Sequence, residues 1–385
     1  MKKSFFYVAL LLIGNAFVTT SCGDDNDDVF INEGENQTSA DLDYSSENAA
    51  SWHNYMRNVA ALLKKDATTL YTAWNNSYVD GISYAEGFKN QQLSDYPTAK
   101  SCVEQIIDGC VTIATEVGTA KIGDPYNLYV SGKTTEALYA VESWYSWHSR
   151  DDYRNNIYSI RNAYYGSLDG SVTEASISGL VATKNAELDQ KVNDAIKKAA
   201  EAIYNIEQPF RNHINSTETL EAMTACAELV LVLEDELKPY VINNLSNDVL
   251  DPVVDNYVDN VVLPTYLSLK QGNDALYESI LDLIENPSDR AFVVACDAWM
   301  EARKPWEESE AFLFGPVDAL GLDPNMDSWP LDQDAIVQIL TSGNYDDLNW
   351  SDGDADDVVE AAQSVRGFHT LEYLLFKDGK PRTVK

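Results

Sequence analysis

Apolar residues along most of this chain recur every three or four positions. Over 48–75 the sequence brings Trp52, Tyr55, Val59, Leu62, Leu63, Leu70 and Trp74 to one side of a helix. Over 100–117 Val103, Ile106, Ile107, Cys110 and Val111 do the same, and over 187–208 Leu188, Val192, Ile196, Ala199, Ile203 and Ile206 follow. A further helix begins near Glu218, with Thr217 as its expected cap, and runs to Pro239. Strand-like alternation is scarce. Pro, Gly and Asn gather near 121–127, 166–170, 209–216, 262–264, 315–330 and 341–353, which predicts loops there. About ten to twelve helices in packed bundles follow from this pattern, an all-α fold.

The first residues follow a different logic. Lys2 and Lys3 precede an apolar run from Phe5 to Val18, and Thr19-Thr20-Ser21-Cys22 closes it. That layout is an export signal over 1–21, short for a membrane span. Cysteine at the cleavage point predicts a lipoprotein with Cys22 acylated. Gly-Asp-Asn-rich sequence after it, opening Gly23-Asp24-Asp25-Asn26-Asp27-Asp28, reads as an acidic flexible tether over 22–46. The expected body then divides into a first helical region, 47–215, and a second, 216–385.

Charge narrows the partners. The chain has 62 acidic and 27 basic residues, a formal net charge of -35. Nucleic acid is excluded as a charge-driven partner, and contact with a membrane is expected through the lipid anchor only. Cations and basic partners fit. Hydrophobic residues at 45% are too many for a disordered acidic chain.

Three stretches carry polar residues at helical spacing on otherwise apolar or aromatic surfaces. Gly367-Phe368-His369-Thr370-Leu371-Glu372 sets an imidazole and a carboxylate three apart, with Arg366 beside them. Such a pair can share one metal, or the carboxylate can orient the ring. Arg303, Trp306, Glu307, Glu310 and Phe314 share one side of a second helix that Gly315-Pro316 ends. Buried charges there need partners. In the third, Ser146 precedes a helix that Ser149 caps, with Asp151 and Asp152 in its first turn and Asp152, Asn156 and Ser159 along one face, as if lining a cleft.

Together the blocks ESWYSWHSRDDYRNNIYSIRNAYYG, RKPWEESEAFLFGPV and GFHTLEYLLF resemble the imelysin-like proteins, once grouped as a peptidase family. The last block holds the family's GxHxxE as Gly367, His369 and Glu372. The resemblance implies an all-helical fold of two four-helix bundles with a functional site at their interface. It also implies export to the cell envelope and a tie to iron uptake. In the usual order GxHxxE lies in the first bundle, whereas here it comes near the end, which reads as a circular permutation.

The expected metal ligands are His369, Glu372 and Glu310, for iron or zinc, free or as a chelate. The expected cleft is completed by Arg303, Trp306, Glu307, Phe314, Arg366, Ser146, Asp152 and Asn156. The function expected is an iron-binding lipoprotein anchored to the outer membrane, working with other envelope uptake proteins. A zinc-dependent peptidase using HxxE is the alternative, and a structural or adhesion-like surface module a third. Binding is favoured over catalysis, because a peptidase needs about three ligands, an open metal position and a base, and only one histidine stands in a convincing motif.

Other features are weaker. Asp323-Pro324-Asn325-Met326-Asp327 and Asp352-Gly353-Asp354 open like calcium loops but lack Gly and Glu at the required positions. His53 and His213 stand alone, and His148 is a weak ligand candidate. Cys102, Cys110, Cys226 and Cys296 leave three full pairings open; Cys102 and Cys110 on one helix lie too far apart to bridge each other.

Overall fold

The helices expected from the apolar periodicity gather into two four-helix groups in the computed structural model, which describes residues 42–78, 81–351 and 353–384. The helices that matter for the site are α1 (Ala49–Asn75), α2 (Ala99–Glu116), α3 (Ser149–Tyr165), α4 (Ala186–Asn205), α5 (Thr217–Leu231), α6 (Leu263–Glu285), α7 (Asp289–Glu307), the short α8 (Leu322–Asp327) and α9 (Gly367–Leu375). One small hairpin, Phe376–Lys377 against Lys380–Pro381, is the only sheet among the described residues. The all-α class is therefore as expected. No described helix is long and apolar enough to cross a membrane. The export signal and Cys22 lie outside the described residues.

One group packs α1, α6, α7 and α9 around Trp52, Tyr55, Leu276, Trp299 and Leu371. The other packs α2, α3, α4 and α5 around Ile106, Ile157, Val192, Ala225 and Leu229. The first group draws on both ends of the chain, so the grouping cuts across the division at residue 215 expected from sequence. Arg382 Nη1 reaches Asp43 Oδ1 at 2.7 Å, tying the beginning and end of the described body together. Residues 42–46, assigned to the tether, already belong to this body. Leu42 and Tyr44 are buried, and the Tyr44 ring meets Phe292 at 5.0 Å.

The punctuation misled at several positions. Residues 121–127 are largely helical, within Gly123–Val130, and 262–264 form no loop. There the chain passes from Asn247–Tyr257 through a widened π turn, Val258–Val262, directly into α6. Pro264 sits just after the widened turn, within this continuous helical run. The caps also shift by one. Ser216, not Thr217, accepts from Thr219 N–H at the start of α5, and Ser149 is the first residue of α3, its hydroxyl donating to Glu142 O at 2.5 Å. All four cysteines Cys102, Cys110, Cys226 and Cys296 are buried free thiols.

Where the two groups meet, α3 packs against α7 and against the tight 3-10 turn Glu310–Phe312 that follows it. Gly109 of α2 lets this turn approach closely: a Cβ there would stand 2.0 Å from Ala311 O. The chain thereby brings the ends of α7 and α3 together in the interior, and the polar faces of both helices face one another.

Candidate functional site: a buried ion network at the junction of the bundles

Arg303 is the hub. It is fully buried on α7, one turn before Glu307. Its Nη2 pairs with Glu307 Oε1 at 2.6 Å, its Nε lies 3.4 Å from Asp152 Oδ2, and its Nη1 is ion-paired with Asp327. A guanidinium with donors in a fixed fork suits three carboxylates arriving from different elements. Asp152 comes from α3, where Ser143 Oγ donates to its Oδ2 at 2.5 Å and His148 Nδ1 lies 2.8 Å from its Oδ1. Further along that face Asn156 Nδ2 donates to Glu307 Oε2 at 2.6 Å, and Ser159 Oγ accepts from Ala311 N–H at 3.0 Å.

His369 lies on the opposite side of Arg303. Its Nδ1 is 3.0 Å from Glu372 Oε2 and its Nε2 is 3.2 Å from Asp327 Oδ1. Carboxylates thus face both ring nitrogens, and Arg303 Nη2 also lies 3.3 Å from Nε2. Burial and Arg303 push its pKa down, but the hydrogen bonds to Asp327 and Glu372 outweigh them and raise it to about 9. The Trp329 ring closes over it edge-on at 4.8 Å. Glu372 is saturated on its other oxygen, which accepts from Tyr145 N–H at 3.1 Å, Ser146 N–H at 2.7 Å and Ser146 Oγ at 2.7 Å. Of the two roles open to Glu372, the contacts fit the one that orients the ring, and neither member of HxxE has a nitrogen or oxygen turned to open space.

Gly367 explains the glycine of the motif. Its φ is +87°, and a Cβ there would stand 2.5 Å from Met326 O. This bare backbone lets α9 start hard against α8, one residue from Asp327.

Asp327, which stands in the sequence only within a calcium-like opening lacking the required Gly and Glu, belongs to this network. It accepts from Trp306 Nε1 at 2.7 Å and pairs with Arg303 and His369, which together hold its carboxyl far below the ordinary range against the cost of burial. It also opens onto a second feature. A pocket of about 300 Å³ is lined by Glu116, Lys121, Glu142, Glu310, Asp323, Asp327 and Trp329. Lys121 Nζ is 3.0 Å from Glu142 Oε2 and 3.9 Å from Glu310 Oε1. Glu307, Glu310 and Asp327 each place one carboxylate oxygen within 4.8 Å of the other two. Burial pushes Glu310 well above the usual carboxylate range, and burial with like charge from Asp152 and Asp327 takes Glu307 up to about 8 despite Arg303.

Two expected members are elsewhere. Arg366 points away, pairing with Asp66 and lying over the Trp350 ring at 5.2 Å. Because the helix begins only after it, at Gly367, Arg366 does not share a face with His369. Phe314 packs with Trp74, Phe88 and Tyr96 in an aromatic cluster of the core. Arg303, Trp306, Glu307, Ser146, Asp152 and Asn156 meet as one network with His369 and Glu372, and Glu310 adjoins it through Glu307 and Asp327.

The imelysin family model matches residues 24–237 and 262–385. The chain belongs to the imelysin family. An imelysin peptidase of known structure from Bacteroides ovatus is 65% identical to it and superposes with a TM-score of 0.89, covering 90% of this chain and 100% of that one. Iron-regulated protein A of Synechococcus elongatus is 31% identical over 133 residues, 34% of this chain. The match spans 33% of that protein's length. The structure of an iron-regulated protein A precursor from Parabacteroides distasonis is 34% identical over 45% of this chain and 51% of that one, with a TM-score of 0.42. As an imelysin the chain carries GxHxxE intact, and its histidine sits at the bundle junction rather than on an exposed helix face.

Proposed function

We propose that this imelysin is an exported cell-envelope protein that binds iron, free or carried on a ligand, in the acidic pocket beside His369. The observation that carries the reading is a charge imbalance. Glu142, Asp152, Glu307, Glu310, Asp327 and Glu372 stand against only Lys121, His148, Arg303 and His369. Buried carboxylates in excess must either hold protons or bind a cation. The upward shifts at Glu307 and Glu310 are the proton-holding state, and an arriving cation would displace those protons. Carboxylate oxygens from Glu307, Glu310 and Asp327 are hard donors suited to a hard cation. His369 and Glu372 then act one step back, fixing Asp327, as partners of metal-ligating groups commonly do. The iron-regulated names of the Synechococcus and Parabacteroides proteins are consistent with iron as the cargo. Anchoring through Cys22 at the outer membrane, and docking to other uptake proteins there, belong to the same proposal.

Calorimetric titration of ferrous, ferric and zinc salts tests it. Iron is expected to bind with proton release, and Glu310→Gln to weaken it by about tenfold or more. Equal binding by the wild type and Glu310→Gln contradicts the proposed site.

A zinc peptidase is the second reading, favoured by the name of the Bacteroides ovatus protein. It asks His369 for a free ring nitrogen, whereas both nitrogens here face carboxylates. Incubation with unfolded protein and zinc is expected to yield no chelator-sensitive cleavage, and cleavage lost in Glu372→Gln would reverse this preference.

A further inference from the structure

The helix that sends Asp152 and Asn156 into the ion network presents a different stripe to α4. Arg154, Tyr158, Arg161 and Tyr165 follow one another at four, three and four residues, so they share one helix face. Between them and α4 lies a cavity of about 290 Å³, also lined by Asn193, Lys197 and Glu201. That size is near the lower end of small-molecule pockets.

The charge there is reversed from that of the molecule. Net charge is -35 overall, yet Arg154, Arg161 and Lys197 line this cavity with a single carboxylate, Glu201, which stands 3.8 Å from Lys197. Neither arginine has a carboxylate partner among the described residues. Both instead share the Tyr158 ring, Arg154 at 5.0 Å and Arg161 at 4.3 Å from its centroid. Arg154 also lies over Tyr204 at 4.3 Å, and its Nε is buried without a hydrogen-bond partner. Arg161 donates to the neutral Asn162 Oδ1 alone, at 3.2 Å from Nε and 2.8 Å from Nη2. In a chain with more than twice as many acids as bases, two guanidinium groups share one ring and neither meets a carboxylate, so an anion entering the cavity would be attracted to both.

Asn193 adds the complementary function. Its Nδ2 donates to Asp189 Oδ2 at 3.0 Å, which fixes the amide, and its Oδ1 is buried without a partner. An acceptor so placed takes a hydroxyl, whereas guanidinium forks take carboxylates in bidentate fashion. We propose that the cavity between α3 and α4 is a binding site for a small hydroxycarboxylate anion, its carboxylates on Arg154 and Arg161 and its hydroxyl on Asn193. The site lies on the other face of α3 from the acidic pocket and does not depend on what that pocket binds.

A purely structural clasp, Arg154 pinning α3 to Tyr204 of α4, would be felt in stability and not in binding. The test therefore reads binding. Citrate and inorganic phosphate are titrated separately into the purified full chain at low ionic strength by calorimetry. Citrate is expected to bind saturably and more tightly than phosphate, and Arg154→Gln/Arg161→Gln to weaken it by about tenfold or more. Lys133→Gln/Lys184→Gln, which removes the same charge elsewhere on the surface, should bind citrate as the wild type does. Arg161→Lys, which keeps the charge but loses the fork, should fall in between, and it serves as the reading if the double glutamine variant fails to fold. Absence of saturable citrate binding, a stronger response to phosphate, or arginine variants that bind as the lysine control does would each overturn the proposal.

Discussion

Nε2 of His369 lies 3.2 Å from Oδ1 of Asp327, and this contact joins the signature motif of the family to a residue outside it. His369 and Arg303 share that carboxylate and favour its charged form, while burial pushes its neighbours Glu307 and Glu310 toward their neutral forms. Under the proposed function, a cation at this pocket would have to replace the protons that Glu307 and Glu310 favour.

The hub should be essential to folding. Arg303→Met leaves Asp152, Glu307 and Asp327 buried without their shared cation. Breaking a buried pair from one side costs about 3–5 kcal/mol, so the urea midpoint should fall steeply. A loss within about 0.5 kcal/mol, the scale of ordinary surface substitutions, would mean that water or protons already compensate these carboxylates.

Gly367→Ala should destabilise as well, for a backbone reason. The added Cβ would meet Met326 O at 2.5 Å on a residue whose φ is +87°, and such strain costs about 1–3 kcal/mol before any repacking. Differential scanning calorimetry measures it. An unchanged melting temperature would show that α9 can retreat from α8 without cost.

His148 supplies a pH signature. Burial lowers its pKa, but Asp152 more than offsets this and the ring titrates at about 9 in the folded protein, above the ordinary 6.5. A raised histidine stabilises fully below pH about 6.5 and loses that contribution as pH climbs through about 9. Stability against urea should therefore decline between those values, and His148→Gln should flatten the decline. Part of the slope remains, because His369 is raised to about 9 in the same sense. An identical slope in the variant would place the titration elsewhere.

Much of this architecture is legible in the sequence because it is helical. Asp152 and Asn156, Arg303 and Glu307, and His369 and Glu372 are each three or four residues apart, so helical periodicity aligns each pair before any fold is known. Asp327 escapes that logic. It ends a helix of six residues in a Pro-rich stretch, where no period exists to mark a face. Lys121 is hidden for a similar reason, at the end of a widened turn, Val117–Lys121, within a stretch that reads as a loop. Arg366 shows the opposite case: a helical register extended to it runs one residue past the helix start, since Arg366 has extended backbone and pairs with Asp66 instead. The composition of the bundles was likewise not readable from local pattern, since α1 packs with helices from the far end of the chain.

The most direct measurement is anomalous diffraction at the iron edge from crystals of this protein soaked in a ferrous or ferric salt. The account predicts a peak bounded by carboxylate oxygens of Glu307, Glu310 and Asp327, with His369 still hydrogen-bonded to Asp327 and not in contact with the metal. A peak coordinated by His369 and Glu372 instead, or a saturated crystal with no peak in the acidic pocket, would contradict it.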